Sequence, residues 1–244
     1  IGLTATPGRG FALPGTEEEN ERLSDFFNNE YLTFDCGEEG PIQYLQNREI
    51  LAKASMSLMT VDSGIELTPS ELKSVSENFD LPEGLLKKIG KDKLRNAEIF
   101  NRLKIQIEEG CKSIIYFATS LEQSKLICAL LHLSGIKAAH VDGASPLPYR
   151  KSVINEFRRG KIQILCNYQV LTTGFDAPKI DCVFIARPTS SVVLYSQMIG
   201  RGLRGPKLGG LPTCAVITVK DNFLNLPEAN NIFNIFEEYW ELRK

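Results

Sequence analysis

The chain has 244 residues, of which 43% are hydrophobic and 24% are charged, and its formal net charge is −2. These values predict a soluble globular protein, long enough for one large α/β domain or for one domain and a fragment. They exclude a membrane-spanning chain, because no apolar run approaches the length of a span, and any polyanion must be bound by local clusters or by backbone amides.

The six cysteines are scattered without C-x-x-C spacing, and the chain has only two histidines, His132 and His140. A zinc site is therefore not expected, and we predict no metal ligands in this chain. His140 is interpreted as a hydrogen-bonded residue at a strand end. Reduced, buried thiols are typical of a cytosolic protein, which predicts a cytoplasmic location.

The first half of the chain gives scattered signals. Residues 1–7 (IGLTATP) are typical of a buried strand that breaks into a loop, and we interpret the chain as a piece of a larger protein. A short helical pattern spans about 17–27, and residues 50–61 are strand-like in part. Helix starts are predicted at residues 68–71 (TPSE) and at Asp92, with the second helix running to about Glu109.

From residue 113 the pattern becomes regular, with strands alternating with helices of about a dozen residues. Strands are predicted over residues 113–118, 136–141, 162–166, 182–186 and 214–219, and helices over 121–133, 148–159 and 230–244. This alternation predicts a parallel sheet with right-handed crossovers. Ligands of such sheets bind at the carboxyl ends of the strands, so we expect the chemistry in the loops that follow strands.

Residues 197–204 (QMIGRGLR) place two arginines three positions apart after a predicted helix. Such a pair suits a nucleotide's terminal phosphate. The same stretch, with Gly205, also matches the dinucleotide fingerprint G-x-G-x-x-G. That second interpretation needs a helix to begin at Gly205, and the prolines and glycines over 206–212 prevent one.

Three ordered segments, residues 4–7 (TATP), 171–178 (LTTGFDAP) and 197–204, have the order and rough spacing of helicase motifs III, V and VI. Residues 114–120 (IIYFATS) look like motif IV. The chain resembles the second RecA-like domain of a superfamily-two helicase. Within that superfamily it is closest to the DEAD/DEAH group that includes type III restriction subunits and RadD-like repair helicases.

The resemblance implies a RecA-like, P-loop NTPase-type α/β fold, with a mostly parallel sheet and helices on both faces. It also implies a division of the chain. Residues 1–12 would end the first RecA-like domain, 13–60 would form a linker or insertion, and 61–244 would form the second RecA-like domain.

For the nucleotide, the resemblance implies that Arg201 and Arg204 reach the γ-phosphate across an interdomain cleft. Gln197 would contact phosphate or the attacking water, Asp176 would accept a bond from the ribose, and Gly174 would allow the tight turn there. An arginine at that place stabilises the charge that spreads over the transferring phosphoryl group. For both arginines, a solvated helix end is the structural alternative.

For nucleic acid, the resemblance implies contacts to phosphates, with DNA favoured over RNA. The implied contact residues are Thr119, Ser120, Gly143, Arg150 and Thr172. Thr119 and Ser120 are also consistent with simple capping of the helix that follows them. Thr4 and Thr6 would couple closure of the interdomain cleft to movement of the nucleic-acid strand.

The chain departs from a complete motor in one respect. It has neither G-x-x-x-x-G-K-[ST] nor a D-E-x-x pair, the parts that hold the β- and γ-phosphates and Mg²⁺. ATP and Mg²⁺ are therefore expected with the Mg²⁺ ligands on the first RecA-like domain, and the chain should not hydrolyse ATP alone. Two alternatives stay open: the motor half of a restriction or repair translocase, and a non-catalytic nucleic-acid-binding module.

Overall fold

A six-stranded sheet forms the centre of the computed structural model, which describes residues 21–22, 25–26, 36–38, 40–62, 64–77, 81–171, 177, 179–189 and 191–222. Its strands are β1 (Lys53–Val61), β2 (Ile114–Phe117), β3 (Ala138–Val141), β4 (Ile164–Asn167), β5 (Cys182–Ile185) and β6 (Thr213–Asp221). Their order across the sheet is β1-β6-β5-β2-β4-β3, and every neighbouring pair is parallel. The predicted parallel sheet is confirmed.

The helices connect and flank these strands. They are α1 (Pro41–Asn47), α2 (Pro69–Glu77), α3 (Glu83–Gly90), α4 (Lys93–Glu108), α5 (Leu121–Leu133), α6 (Leu147–Arg158) and α7 (Val192–Ile199). Both predicted starts are confirmed. The Asp92 carboxylate accepts a hydrogen bond from the Arg95 amide at 2.6 Å, and Thr68 and Glu71 bond each other's amides as a capping box.

The two faces of the sheet bury different side chains, because successive residues of a strand point to opposite faces. Ile115 and Phe117 of β2 pack with the apolar residues of α6 and α7. Ile114 and Tyr116 pack on the other face, against α4 and α5. Helices therefore cover both faces, and the predicted three-layer RecA-like class is confirmed.

Three features of the first half differ from the sequence-based expectation. The predicted domain boundary at residue 61 falls on the last residue of β1, so the strand that we assigned to a linker belongs to the sheet, paired with β6. Its polar interruptions are compatible with pairing because the ladder is made by backbone groups at the edge of the sheet. Helices α1 and α3 were not predicted, since two turns are too short to show a helical period.

Some predictions lie outside the described residues. They concern Thr4, Thr6, Thr172, Gly174 and Asp176, the helix over 230–244 and most of the helical pattern over 17–27. Apart from the placement of β1 in the sheet, the division into 1–12, 13–60 and 61–244 as domains likewise stays a prediction.

Candidate functional site

The carboxyl edge of the sheet collects the loops expected to meet nucleic acid. Thr119 and Ser120 follow β2, and Asp142 and Gly143 follow β3. Since β2, β3 and β4 are all parallel, these loops lie at the same edge. The prediction that these residues lie in loops after strands is confirmed.

Gln197 and Arg201 lie elsewhere, at the far end of α7. The helix begins after β5, where Ser191 caps it by accepting a hydrogen bond from the Leu194 amide at 3.2 Å. Its length carries the chain about 12 Å away from that point. Gly202 packs against Val183 and Cys214, the second residues of β5 and β6. This group therefore lies outside the loops after strands in which we expected the chemistry.

Within the group, the structure brings Gln197 and Arg201 together. Both residues are half-buried, and Arg201 Nε donates to the Gln197 carbonyl oxygen at 3.3 Å. Tyr195, Met198 and Ile199 are buried in the core on the same helix, which fixes its orientation against the sheet. The Arg201 guanidinium is thus held against the backbone of the last turn of α7, at Gln197.

Arg204 stands on a separate, extended stretch. It forms an antiparallel bridge with Leu51, and its flanking residues bond the segment before β1: the Ala52 amide donates to Leu203 at 3.0 Å and the Gly205 amide to Ile50 at 2.9 Å. The segment before β1 therefore anchors the second arginine, a contact that the sequence alone does not predict.

The glycines of this stretch are packing residues. A side chain at Gly202 would collide with Cys214 Sγ and Val183 Cγ2, and one at Gly205 would collide with the backbone of Glu49 and Ile50. After Gly205 the chain forms only a short 3₁₀ turn, Pro206–Leu208. No α-helix begins there within the described stretch 191–222, so the rejection of the dinucleotide fingerprint is confirmed.

Thr119 and Ser120 are buried, and their hydroxyls are used inside the protein. Thr119 Oγ1 donates to the Ala186 carbonyl oxygen at 2.7 Å. Ser120 Oγ accepts from the Gln123 amide at 3.1 Å and so caps α5. The capping alternative therefore holds for Ser120, and a contact of this loop with nucleic acid stays a prediction.

Sequence reasoning missed a buried ion pair beneath this loop. Arg95 and Asp221 are both 0% exposed, and Arg95 donates from Nε and Nη2 to the two carboxylate oxygens at 2.6 and 3.0 Å. Arg95 also donates to Thr119 Oγ1 at 3.1 Å and to the Ala186 carbonyl oxygen at 2.6 Å. Arg95 lies four residues before the buried Ile99, on the face of α4 that also buries Leu103, and this spacing is the signal in the sequence that could have indicated its burial.

A small cleft of about 220 Å³ lies beside the ends of β2, β4 and β5. Asn167 Oδ1 is buried there and has no hydrogen-bond partner among the described residues. Gln169 adopts a left-handed conformation, with φ of 59°. The cleft is lined by Phe117, Ala118, Asn167, Gln169, Arg187, Leu194 and Met198.

The loop after β3 is held by Arg150. Its Nη2 donates to the carbonyl oxygens of Asp142, Gly143 and Ser145 at 2.9, 3.2 and 3.4 Å. The guanidinium thus braces the loop that contains Gly143. The predicted contact of Arg150 with phosphate remains a prediction.

Asp142 is fixed from both sides. His140 Nε2 bonds Asp142 Oδ2 at 3.0 Å, while His140 Nδ1 bonds Ser124 Oγ at 2.7 Å. Ser145 bonds the same carboxylate at 2.9 Å. The interpretation of His140 as a hydrogen-bonded strand-end residue is confirmed.

These bonds give the loop an acid-sensitive stability. The hydrogen bond from His140, helped by Ser145 and opposed by burial, lowers the pKa of Asp142 from 3.8 to about 2. Because the folded-state pKa is the lower one, the stabilisation is complete above the unfolded value and is lost as the pH falls through about 2. We expect the melting temperature of wild type to exceed that of Asp142→Asn at pH 5 and the two to converge as the pH falls towards 2. A difference that stays constant over this range would contradict the assignment.

The six cysteines are free thiols, four of them buried. The described residues contain no group of three or more potential metal ligands. In the same part of the chain, no helix has both the length and the apolar character needed to cross a membrane.

Residues 95–205 match the family described as the helicase conserved C-terminal domain. This part of the chain is similar to that family. The helicase C-terminal domain thus includes both sets of predicted contact residues, the loops at the carboxyl edge and the end of α7. The resemblance to superfamily-two helicases is confirmed, while the finer placement near type III restriction subunits stays a prediction.

Two curated relatives resemble the chain beyond this domain. The putative mitochondrial ATP-dependent helicase irc3 of Schizosaccharomyces pombe is 33% identical over 214 residues, covering 84% of this chain and 30% of that protein. The putative ATP-dependent helicase IRC3 of Saccharomyces cerevisiae is 31% identical over 140 residues, covering 57% of this chain and 20% of that protein. The chain therefore spans less than a third of the length of these relatives.

Among solved structures, the crystal structure of the yeast DEAD-box splicing factor Prp28 matches with a TM-score of 0.52 at 16% identity. The match covers 80% of this chain and 33% of that one. At this identity the likeness shows the shared fold alone.

Proposed function

We propose that this helicase C-terminal domain is the second motor domain of an ATP-dependent helicase or translocase, and that Gln197 and Arg201 form one wall of its ATP site. The observation that carries the proposal is the hydrogen bond from Arg201 Nε to the Gln197 carbonyl oxygen, which holds the two residues together at the end of α7, within the region that matches the helicase family. A guanidinium held there suits the charge of a transferring γ-phosphate.

The second wall of the site would come from another domain of the whole protein. This chain has no G-x-x-x-x-G-K-[ST] sequence to cradle the β- and γ-phosphates or to hold Mg²⁺. Arg204 would approach the same phosphate from its stretch beside Leu51, Asp176 would accept a hydrogen bond from the ribose, and Gly174 would allow the tight turn there. Replacing Arg201 with alanine tests the assignment, because ATP hydrolysis stimulated by nucleic acid should then be lost.

Nucleic acid would lie along the carboxyl edge of the sheet. The exposed Gly143 and the loop at Thr119 and Ser120 would meet phosphates, together with Thr172. Thr4 and Thr6 would couple closure of the interdomain cleft to movement of the nucleic-acid strand. A cytoplasmic location of the protein stays a prediction. DNA and RNA are distinguished by which of them stimulates ATP hydrolysis by the whole protein.

We propose that Arg150 supports this surface by donating hydrogen bonds to the carbonyl oxygens of the loop after β3. Arg150→Gln should therefore weaken binding of single-stranded nucleic acid by the whole protein while leaving the dependence of log affinity on log salt unchanged. Loss of a direct phosphate contact would instead reduce that slope by about 0.7. Binding measured between 50 and 200 mM salt, a range suggested by the steep salt dependence of such contacts, separates the two, and a reduced slope would assign Arg150 to the phosphate itself.

A further inference from the structure

The Arg95–Asp221 pair has a position that stability alone does not explain. We propose that Arg95 and Asp221 are positioning residues that couple nucleic-acid binding to ATP hydrolysis, an inference that rests on the function proposed above. A buried ion pair is weak as a source of stability, because removing two charges from water offsets most of their attraction. Its charge-assisted hydrogen bonds, by contrast, hold the groups that they contact in a fixed orientation.

The pair joins the ends of three adjacent strands. Asp221 is the last residue of β6, Ala186 follows β5, and Thr119 lies just beyond β2. Arg95 donates hydrogen bonds to all three, with distances between 2.6 and 3.1 Å. Only the planar fork of an arginine provides donors in so many directions at once, since lysine offers a single ammonium.

Helix α4 also contacts the loop after β2 through a second set of hydrogen bonds. Asn96 Oδ1 accepts from Gln123 Nε2 at 2.8 Å, and Gln123 Oε1 accepts from the Thr119 amide at 2.7 Å. Asn96 in turn donates to the Gly90 carbonyl oxygen at 2.9 Å. The loop at Thr119 and Ser120 therefore cannot shift without moving Arg95 or Asn96.

The other end of the network leads to the proposed ATP site. Ala186 is the residue at which the chain leaves β5 towards α7, and the far end of α7 holds Gln197 and Arg201. The Ala186 carbonyl oxygen accepts from both Arg95 and Thr119. A displacement of the loop at Thr119 and Ser120 would thus move the Arg95 guanidinium and, through Ala186, the start of α7, the helix that ends at Arg201.

The test measures the ratio of ATP turnover with and without saturating nucleic acid in the whole protein. Asp221→Asn should lower this stimulation ratio about tenfold, a typical size for coupling between sites, while basal turnover and the nucleic-acid dissociation constant stay within about twofold. Loss of folded protein would lower basal and stimulated turnover by the same factor and leave the ratio unchanged. An unchanged ratio would overturn the inference.

A second variant separates a loss of coupling from a loss of stability. Arg95→Met with Asp221→Leu replaces the pair with apolar groups of similar volume, which is often neutral for stability. Its melting temperature should approach that of wild type while the stimulation ratio stays low. Recovery of the ratio together with stability would overturn the proposal.

Asp181 provides a matched control at the opposite edge of the sheet. Its carboxylate accepts hydrogen bonds from the amides of Lys112 and Ser113 at 2.6 and 3.0 Å. Asp181→Asn should leave the stimulation ratio at its wild-type value, and a fall equal to that of Asp221→Asn would overturn the assignment to this network. If wild type shows no stimulation by DNA or RNA, the proposed function itself fails. If wild type is stimulated and Asp221→Asn equally so, the coupling inference alone fails.

Discussion

Replacing Arg201 with alanine in the whole protein should lower nucleic-acid-stimulated ATP hydrolysis by about 10³-fold or more. The transition state of phosphoryl transfer spreads negative charge over the transferring group, and a positioned guanidinium stabilises that charge. Arg201 Nε is held at the Gln197 carbonyl oxygen by the last turn of α7, so its direction is set by the helix. Turnover of radiolabelled ATP at saturating nucleic acid measures the effect.

The controls separate chemistry from folding and binding. Arg158 is an exposed arginine at the end of α6, and Arg158→Ala should leave turnover unchanged. Arg201→Ala should keep the affinity for nucleic acid, because the predicted contact loops lie at the carboxyl edge of the sheet. Arg201→Lys should restore little activity, since an ammonium lacks the planar fork. Near-normal turnover by Arg201→Ala would remove the arginine from the proposed ATP site.

Replacing Arg95 with methionine should lower the free energy of unfolding by about 3–5 kcal/mol. The substitution leaves the fully buried Asp221 carboxylate without its bidentate partner. A buried charge that has lost its partner is far more costly than the intact pair. Urea-induced unfolding followed by circular dichroism measures the change.

A surface pair in the same protein provides the comparison. Lys87 and Glu83 lie 2.9 Å apart on exposed side chains of α3. Lys87→Met should leave the free energy of unfolding nearly unchanged, because exposed pairs contribute little. Equal losses in Arg95→Met and Lys87→Met would contradict the role assigned to burial.

The regular half of the fold could be predicted because its periodicity is strong. Strands β2 to β6 are short apolar runs, and α5 and α6 carry apolar residues at helical spacing, so local pattern and global fold agree. Their predicted bounds differ from the observed ones by at most two residues, as helix and strand ends commonly do. Strand β1 was predicted only in part, because its side chains alternate weakly and the β6 ladder fixes it.

The site was predictable in its residue types and less so in its arrangement. Spacing of Gln197 and Arg201 along a helix predicts that they are neighbours, since residues four apart share a face. Spacing cannot show that α7 carries them away from the carboxyl edge. The contacts of Arg204 with the segment before β1, and of Arg95 with Asp221, join residues far apart in the chain, and no local pattern encodes them.

The central claim is that Arg201 acts on the transferring phosphate, and the binding of a transition-state mimic tests it most directly. The measurement compares the affinity of the whole protein for ADP with aluminium fluoride and for ADP alone, in the presence of Mg²⁺ and nucleic acid. Wild type should prefer the mimic by about 10²-fold or more, and Arg201→Ala should lose most of that preference while binding ADP as before. An undiminished preference in Arg201→Ala would contradict the claim.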